Sequence, residues 1–460
     1  MPPTCAGGRQ PVREAVGPCG RADSRGGSRP VREAAGLCGR QRVCARGGRV
    51  GAARGSGSRC VRVRSGAVTI APQLPSSPPP GLALGAVAGA GRPGGSRIVC
   101  PLPDGGLLDV GSLATAQRGP HPELLTAPNL DRLLDAGAPA WREVVEWLRG
   151  WRDDHERAAA HRLPVDGLVP VLPFTVADYV DFYACEQHAR NAGLIFRPDA
   201  EPLTPNWRHL PVGYHGRAGT VRVSGSPVVR PSGQRGADDF GPTRRLDLEA
   251  ELGFVLGGPV PGPVSVDDAA DHVFGVVLLN DWSARDVQGF ETRPLGPHLG
   301  KSFATSISAW VTPMAELAAA RVPFPPHDPA PLPYLSPREP ARGLDIGLEV
   351  HLDGHRVSSP PAADLYWSPE QMVAHLTSNG AGLRAGDLLG SGTVSGPRRE
   401  QFGSLLELSW NGRDPVMLPG GTPRSWLSDG DEVVVTATAP AADGSRFSLG
   451  EVRGRIRPAV

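Results

Sequence analysis

The stretch RLDLEAELGF, residues 245–254, constrains this chain more than any other. Leu246, Leu248, Ala250, Leu252 and Phe254 alternate with Asp247, Glu249 and Glu251. Alternation of period two predicts a β-strand with its apolar set on one face and three carboxylates on the other. Next neighbours on one face of a strand lie about 6.6–6.8 Å apart, so these carboxylates repel unless something positive stands between them. Two readings follow: the face is solvated, or it is a cation site.

Other segments place this strand in a larger pattern. VFGVVLLN (273–280) is apolar on both faces and predicts a central, buried strand. RIVCPLPDGGLLDVGSL predicts a hairpin around Asp104-Gly105-Gly106, and LDIGLEVHLDGHRV (344–357) another around Asp353-Gly354. SDGDEVVVTATAP (428–440) adds a turn and a strand. NLDRLLDAGAPAWREVVEWLRGWRDD has helical spacing, and the Pro-rich residues 322–342 predict a surface loop. The 60 glycines and 50 prolines among 460 residues suit a loop-rich, β-rich chain better than a helical bundle.

The first 64 residues differ in kind. They hold 14 Arg against Glu14, Asp23 and Glu33, and PVREAVGPCGR (11–21) returns as PVREAAGLCGR (30–40). Large apolar residues are scarce there, so residues 1–94 are expected to be a disordered extension. A basic arm for RNA or DNA and a transit peptide are the alternatives. No aromatic residue is interleaved to stack on bases, and Gly and Pro break an amphipathic helix. Five of the seven cysteines lie there, without zinc spacing; only Cys100 and Cys185 follow. The rest of the chain therefore carries no disulfide framework, as expected of a cytoplasmic protein. The net charge of +1 gives no argument for nucleic acid or a membrane surface, and no run of 18 apolar residues exists.

Three segments bear on the carboxylates. In ADYVDFYACEQHARNAG (177–193), a helix would put Asp181 and His188 on one face with only Ala184 and Cys185 between them. The plain alternative is a structural histidine, and the orientation of Tyr183 argues for a helix beginning after it. In LLNDWSARDVQ, a buried strand ends at Asp281, and Arg285 and Gln288 follow on one face of a short helix. The alternative is an ordinary cap and ion pair. In GDLLGSGTVSG (386–396), glycines let backbone approach a ligand, Thr393 offers a hydroxyl, and Glu407 follows. If the fold brings them together, Asp181, Glu249, Glu251 and Asp281 form an all-oxygen site suited to Ca²⁺ or Mg²⁺.

LPVGYHGRAGTVRVSGSPVVRPSGQ, LNDWSARDVQ, PLGPHLGKSF and GDLLGSGTVSG, in that order, closely resemble the fumarylacetoacetate hydrolase family over residues 165–457, more weakly over 96–163. The resemblance implies an α+β, β-rich fold. A mixed β-roll catalytic domain would span 165–460, and a small N-terminal SH3-like barrel with a helix 95–164. The family's usual opening strand is missing before Arg97, which would leave the barrel incomplete. The implied activity is hydrolysis of a carbon–carbon bond in 4-fumarylacetoacetate, a dicarboxylate, giving fumarate and acetoacetate at the end of tyrosine breakdown. The implied assembly is a homodimer.

By the same resemblance Asp181, Glu249, Glu251 and Asp281 match metal ligands, with Lys301 and Thr305 beside Asp281 at a Mg²⁺ site. His188 matches the general base and Glu407 the carboxylate that orients it. Arg285, Gln288 and Lys301 match the groups facing a developing oxyanion. Tyr183, Arg197, Tyr214, Gln288 and Thr393 match substrate contacts. Where the family places a Tyr, this chain has Thr292, whose hydroxyl reaches less far. Relatives acting on acylpyruvates or oxaloacetate, and a non-catalytic Ca²⁺-binding protein, are the competing expectations.

Overall fold

The computed structural model describes residues 72–74, 81–89 and 95–460. The basic repeats and five of the cysteines lie outside the described residues. The fold grows from strand Val273–Asp281, buried along its whole length as its two-faced apolar pattern predicts. Strand Ala250–Leu256 runs antiparallel beside it, with Ala250 opposite Asn280. Strands Thr305–Ile307 and Trp310–Pro313 cover the other edge. Strand Leu388–Gly390 follows Ala250–Leu256, then Tyr179–Phe182 in parallel, then Gly213–His215.

This register builds the site. Gly390 stands opposite Asp181, Asp181 opposite Tyr214, and Asp281 opposite Thr305. Slipping any of these strands by one residue would turn its polar side chain to the other face. A second sheet joins His355–Ser358, Gly347–Leu352, Glu432–Pro440, Arg446–Arg457 and Val228–Val229. Both expected hairpins are present, and Asp353 and Gly354 take the positive φ that a two-residue turn needs. The architecture is mixed and sheet-rich, of the α+β class. Among the described residues no helix is long and apolar enough to cross a membrane.

The structure decides between open readings and corrects others. RLDLEAELGF is not one strand: Leu246–Asp247 pairs with Ser283–Ala284, the ladder breaks at Leu248, Glu249 bridges to Ser404, and Ala250–Leu256 forms a second strand. Its polar face is not solvated, since Asp247, Glu249 and Glu251 are 0, 4 and 0% exposed. Asp181 does not share a helix with His188. It sits on strand Tyr179–Phe182, and helix Glu186–Phe196 begins after Cys185.

The ordered chain also starts earlier than residue 95. Strand Leu84–Gly89 pairs with Arg97–Pro101, with Leu168–Val171 and with Trp310–Pro313. GLALGAVAG is built of small and aliphatic residues, and its neighbours Gly and Pro hid it as a strand. No break falls at 164/165 either: one apolar core holds Leu84, Trp141 and Leu148 together with Phe174, Val277 and Leu388.

Candidate active site

Four carboxylates converge where these strands meet. Asp181, Glu249, Glu251 and Asp281 each offer an oxygen within 4.8 Å of the others, and all four are buried. Asp181 Oδ1 and both oxygens of Glu251 accept no hydrogen bond. Burial and the neighbouring Asp281 push the Asp181 carboxyl well above its usual range, and burial and Asp181 do the same to Glu251. Gly390 leaves room beside them: a Cβ there would lie 2.6 Å from Asp181 Oδ1 and 3.1 Å from Glu251 Oε2. Orphaned, buried, oxygen-only donors around a space that only glycine leaves fit a hard divalent cation.

Two cations interleave with these carboxylates. Arg285 reaches Asp247 Oδ2 at 2.8 Å and Glu249 Oε1 at 2.6 Å through Nη2. Lys301 Nζ contacts Glu249 Oε2, and Asp281 Oδ2 at 2.7 Å. Burial alone would raise the Glu249 carboxyl, but Arg285 and Lys301 hold it well below the ordinary range. Arg285 therefore stands between Asp247 and Glu249, and Lys301 between Glu249 and Asp281, while Glu251 touches neither. Five buried carboxylates still face only two buried cations, and a divalent ion would offset most of the excess. Lys301 is held protonated by Asp281 and Glu249 against its burial. Its ammonium has no lone pair to give a metal, so it stands at the site as a counter-charge. Thr305 Oγ1 donates to Asp281 Oδ1 at 3.2 Å.

The histidine and Glu407 form a buried pair, His188 Nδ1 to Glu407 Oε2 at 2.8 Å. Glu407 also accepts from Asn191 Nδ2, Ser395 Oγ and Ser404 Oγ. Burial would raise its carboxyl, but His188 and these donors hold it below the usual range. An ionised carboxylate only accepts, so Nδ1 carries a proton, and in the neutral imidazole the lone pair is then on Nε2. Sequence reasoning missed Asn191, Ser395 and Ser404. Two of them were legible: Asn191 lies one turn after His188, and Ser404-x-x-Glu407 is a capping-box pattern.

The remaining expected residues divide. Tyr183 packs edge-on against the His188 ring at 5.3 Å. Tyr214 Oη donates toward Asp281 Oδ2 at 2.9 Å and lies 3.1 Å from Asp181 Oδ2. Thr393 is buried with its hydroxyl unpartnered in the glycine-rich loop. Gln288 Oε1 accepts from Arg285 Nη1 at 3.1 Å. Arg197 ends the His188 helix, bonds the Pro202 carbonyl oxygen and opposes the upward push of burial on Tyr183. Thr292 is turned inward, its hydroxyl donating to the Gln288 carbonyl oxygen at 2.5 Å, so that proton is not available to a ligand. A cleft lined by Tyr179, Tyr214, Arg217, His298, Lys301 and Ser302 opens beside the carboxylates.

A buried histidine–carboxylate pair, two buried cations and four converging carboxylates that could hold a divalent ion make up this site, a set suited to hydrolysis. Residues 178–457 match the family described as fumarylacetoacetate (FAA) hydrolase C-terminal. A human fumarylacetoacetase is 42% identical over 382 residues, 77% of this chain and 90% of that protein. One from Arabidopsis thaliana is 41% identical over 357 residues, 72% and 83% respectively. A solved fumarylacetoacetate hydrolase from Exiguobacterium antarcticum aligns at 16% identity and a TM-score of 0.49, over 82% of this chain and 99% of that one. The chain belongs to the fumarylacetoacetate hydrolase family.

Proposed function

We propose that this chain hydrolyses the carbon–carbon bond of 4-fumarylacetoacetate, giving fumarate and acetoacetate, the last step of tyrosine and phenylalanine breakdown. The observation that carries the reading is the His188–Glu407 pair beside the four-carboxylate cluster, in a chain 42% identical to a human fumarylacetoacetase. Asp181, Glu249, Glu251 and Asp281 would hold a divalent cation, calcium or magnesium, whose charge polarises the oxygens of a 1,3-diketone. His188 Nε2 takes a proton from water, and Glu407 holds the imidazole in the tautomer that allows it. Arg285, Gln288 and Lys301 offer donors to the oxyanion that forms when water adds to the carbonyl. Collapse of that oxyanion breaks the carbon–carbon bond, its electron pair passes into the second carbonyl as an enolate, and the proton taken from water returns to the enolate carbon to give acetoacetate. Arg197 and Tyr183 would contact a substrate carboxylate.

A non-catalytic calcium-binding protein would have no need of a base held by a carboxylate with four donors. Loss of fumarylacetoacetate absorbance on adding purified protein, abolished by EDTA and restored by Ca²⁺ or Mg²⁺, tests the reading. No loss of absorbance with metal present would overturn it. The same reading takes a homodimer as the assembly, the cytoplasm as its place, and the strands around Leu84–Gly89 as the family's small N-terminal barrel.

Replacing Glu249 and Glu251 together by Gln should abolish divalent-ion binding, because two of four anionic donors become neutral. Affinity in the native chain should weaken as pH falls, since the raised Asp181 and Glu251 carboxyls take up protons that compete with the ion. Calorimetric titration with Ca²⁺ checks both, and unchanged affinity in the double variant would return these carboxylates to a purely structural role.

Of the 48 Lys and Arg residues only Lys301 is a lysine. An ammonium is a compact point charge, whereas a guanidinium is a broad planar fork. Lys301 is enclosed between Glu249 and Asp281, and its neighbour Gly300 is pressed against the Gln288 backbone. Lys301→Arg should keep the charge and the fold but lower kcat by about 10²-fold, the scale of losing one oxyanion donor. Retention of more than half the native kcat would show that any positive charge suffices.

A further inference from the structure

Asp247 is the strand carboxylate that the proposed mechanism leaves without a task. It is 0% exposed, and every partner it has is a donor. Arg285 gives it Nε at 2.9 Å and Nη2 at 2.8 Å. The backbone N–H groups of Leu405 and Leu406 donate to Oδ1 at 2.8 Å and Oδ2 at 3.0 Å, and Leu248 N donates to Oδ1 at 2.8 Å. Leu405 and Leu406 open the single turn Leu405–Leu408 that carries Glu407. One side chain thus holds the guanidinium of the oxyanion arm and the backbone of the arm that orients the base. These arms lie 120 residues apart in sequence and bring His188 and Arg285 to the same rim of the sheet.

We propose that Asp247 is a positioning residue that locks Arg285 and Glu407 into one rigid unit. It holds the Nε and Nη2 edge of Arg285, which leaves Nη1 on Gln288. It also fixes the turn from which Glu407 reaches His188. Glu249 shares Arg285 Nη2, so were its oxygens to hold a cation, Asp247 would be the charge that still holds the arginine. An ordinary buried ion pair would engage one element. This carboxylate engages two elements, each carrying a group assigned to the chemistry.

The inference rests on the hydrolase reading, and its test has one arm that needs turnover and one that does not. Asp247→Asn is isosteric, but its amide NH₂ must face a donor whichever way it turns. Its kcat should fall by about 10²-fold, the scale of a misplacement near 1 Å, while KM stays within about threefold. A kcat within about twofold of native, in a variant that melts cooperatively, would overturn the proposal. The second arm is Arg285→Lys, read by hydrogen exchange rather than activity. Losing the Nε bond should raise exchange at the Leu405 and Leu406 amides several-fold, while core amides such as those of Val276 and Leu278 stay protected. No change at Leu405 and Leu406 would show that the two arms are held independently, and would overturn the lock even if Asp247→Asn failed to fold. Absence of fumarylacetoacetate turnover in the native chain would sink the hydrolase reading and leave the exchange result to judge the lock by itself.

Discussion

A chain that begins at Gly95 should not fold. Cutting there removes Leu82, Leu84 and Val87, each at most 1% exposed. Burying such side chains contributes about 1.5–3 kcal/mol apiece, and a whole domain has only about 5–15 kcal/mol to lose. The cut also strips a shared ladder partner from Arg97–Pro101, Leu168–Val171 and Trp310–Pro313, leaving buried N–H and C=O groups unpaired. Trp310–Pro313 pairs directly with the central strand Val273–Asp281, so the damage reaches the sheet that carries the site. Thermal unfolding followed by circular dichroism measures it. A truncated chain that melts cooperatively within a few degrees of the full chain would show that Leu84–Gly89 is an accessory strand.

His188→Ala should lower kcat by about 10²–10⁴-fold, the range for losing a general base. Divalent-ion affinity should hold, because His188 is not one of the four converging carboxylates. Glu407→Gln should cost less: the amide can keep a bond to the imidazole but no longer fixes which nitrogen carries the proton. It would also set an NH₂ group against Asn191, Ser395 or Ser404, all of which now donate to it. Near-native turnover of His188→Ala from about pH 6 to about pH 9 would mean that another group takes the proton.

Local pattern and spatial outcome part company at identifiable places. Val273–Asp281 and the two hairpins were legible because their signals are short-range: an apolar run, or a turn dipeptide between strands. Helix Glu186–Phe196 starts after Tyr183, as the orientation of that side chain argued, which leaves Asp181 outside it. The strand that carries Asp181 is set by pairing with Leu388–Gly390, some two hundred residues away, and no local rule sees that partner. Leu84–Gly89 was missed for the same reason, as its three partners lie at 97–99, 168–171 and 310–311. At the site, the carboxylate cluster was foreseeable in part from Glu249 and Glu251, which alternate in RLDLEAELGF, and from Asp281 at the end of a buried apolar run. The role of Asp247 was not, because it depends on backbone donors that only the folded chain brings to it.

The solitary lysine also makes the native chain its own reporter. Amine reagents would meet a described surface that presents arginine alone, since Lys301 is 6% exposed. A lysine-specific endopeptidase has one bond to cut, after Lys301, at the wall of the carboxylate cluster. Cleavage there would count openings that expose Lys301, local or global, and a cation seated among Asp181, Glu249, Glu251 and Asp281 should slow the cut by the factor by which it disfavours them.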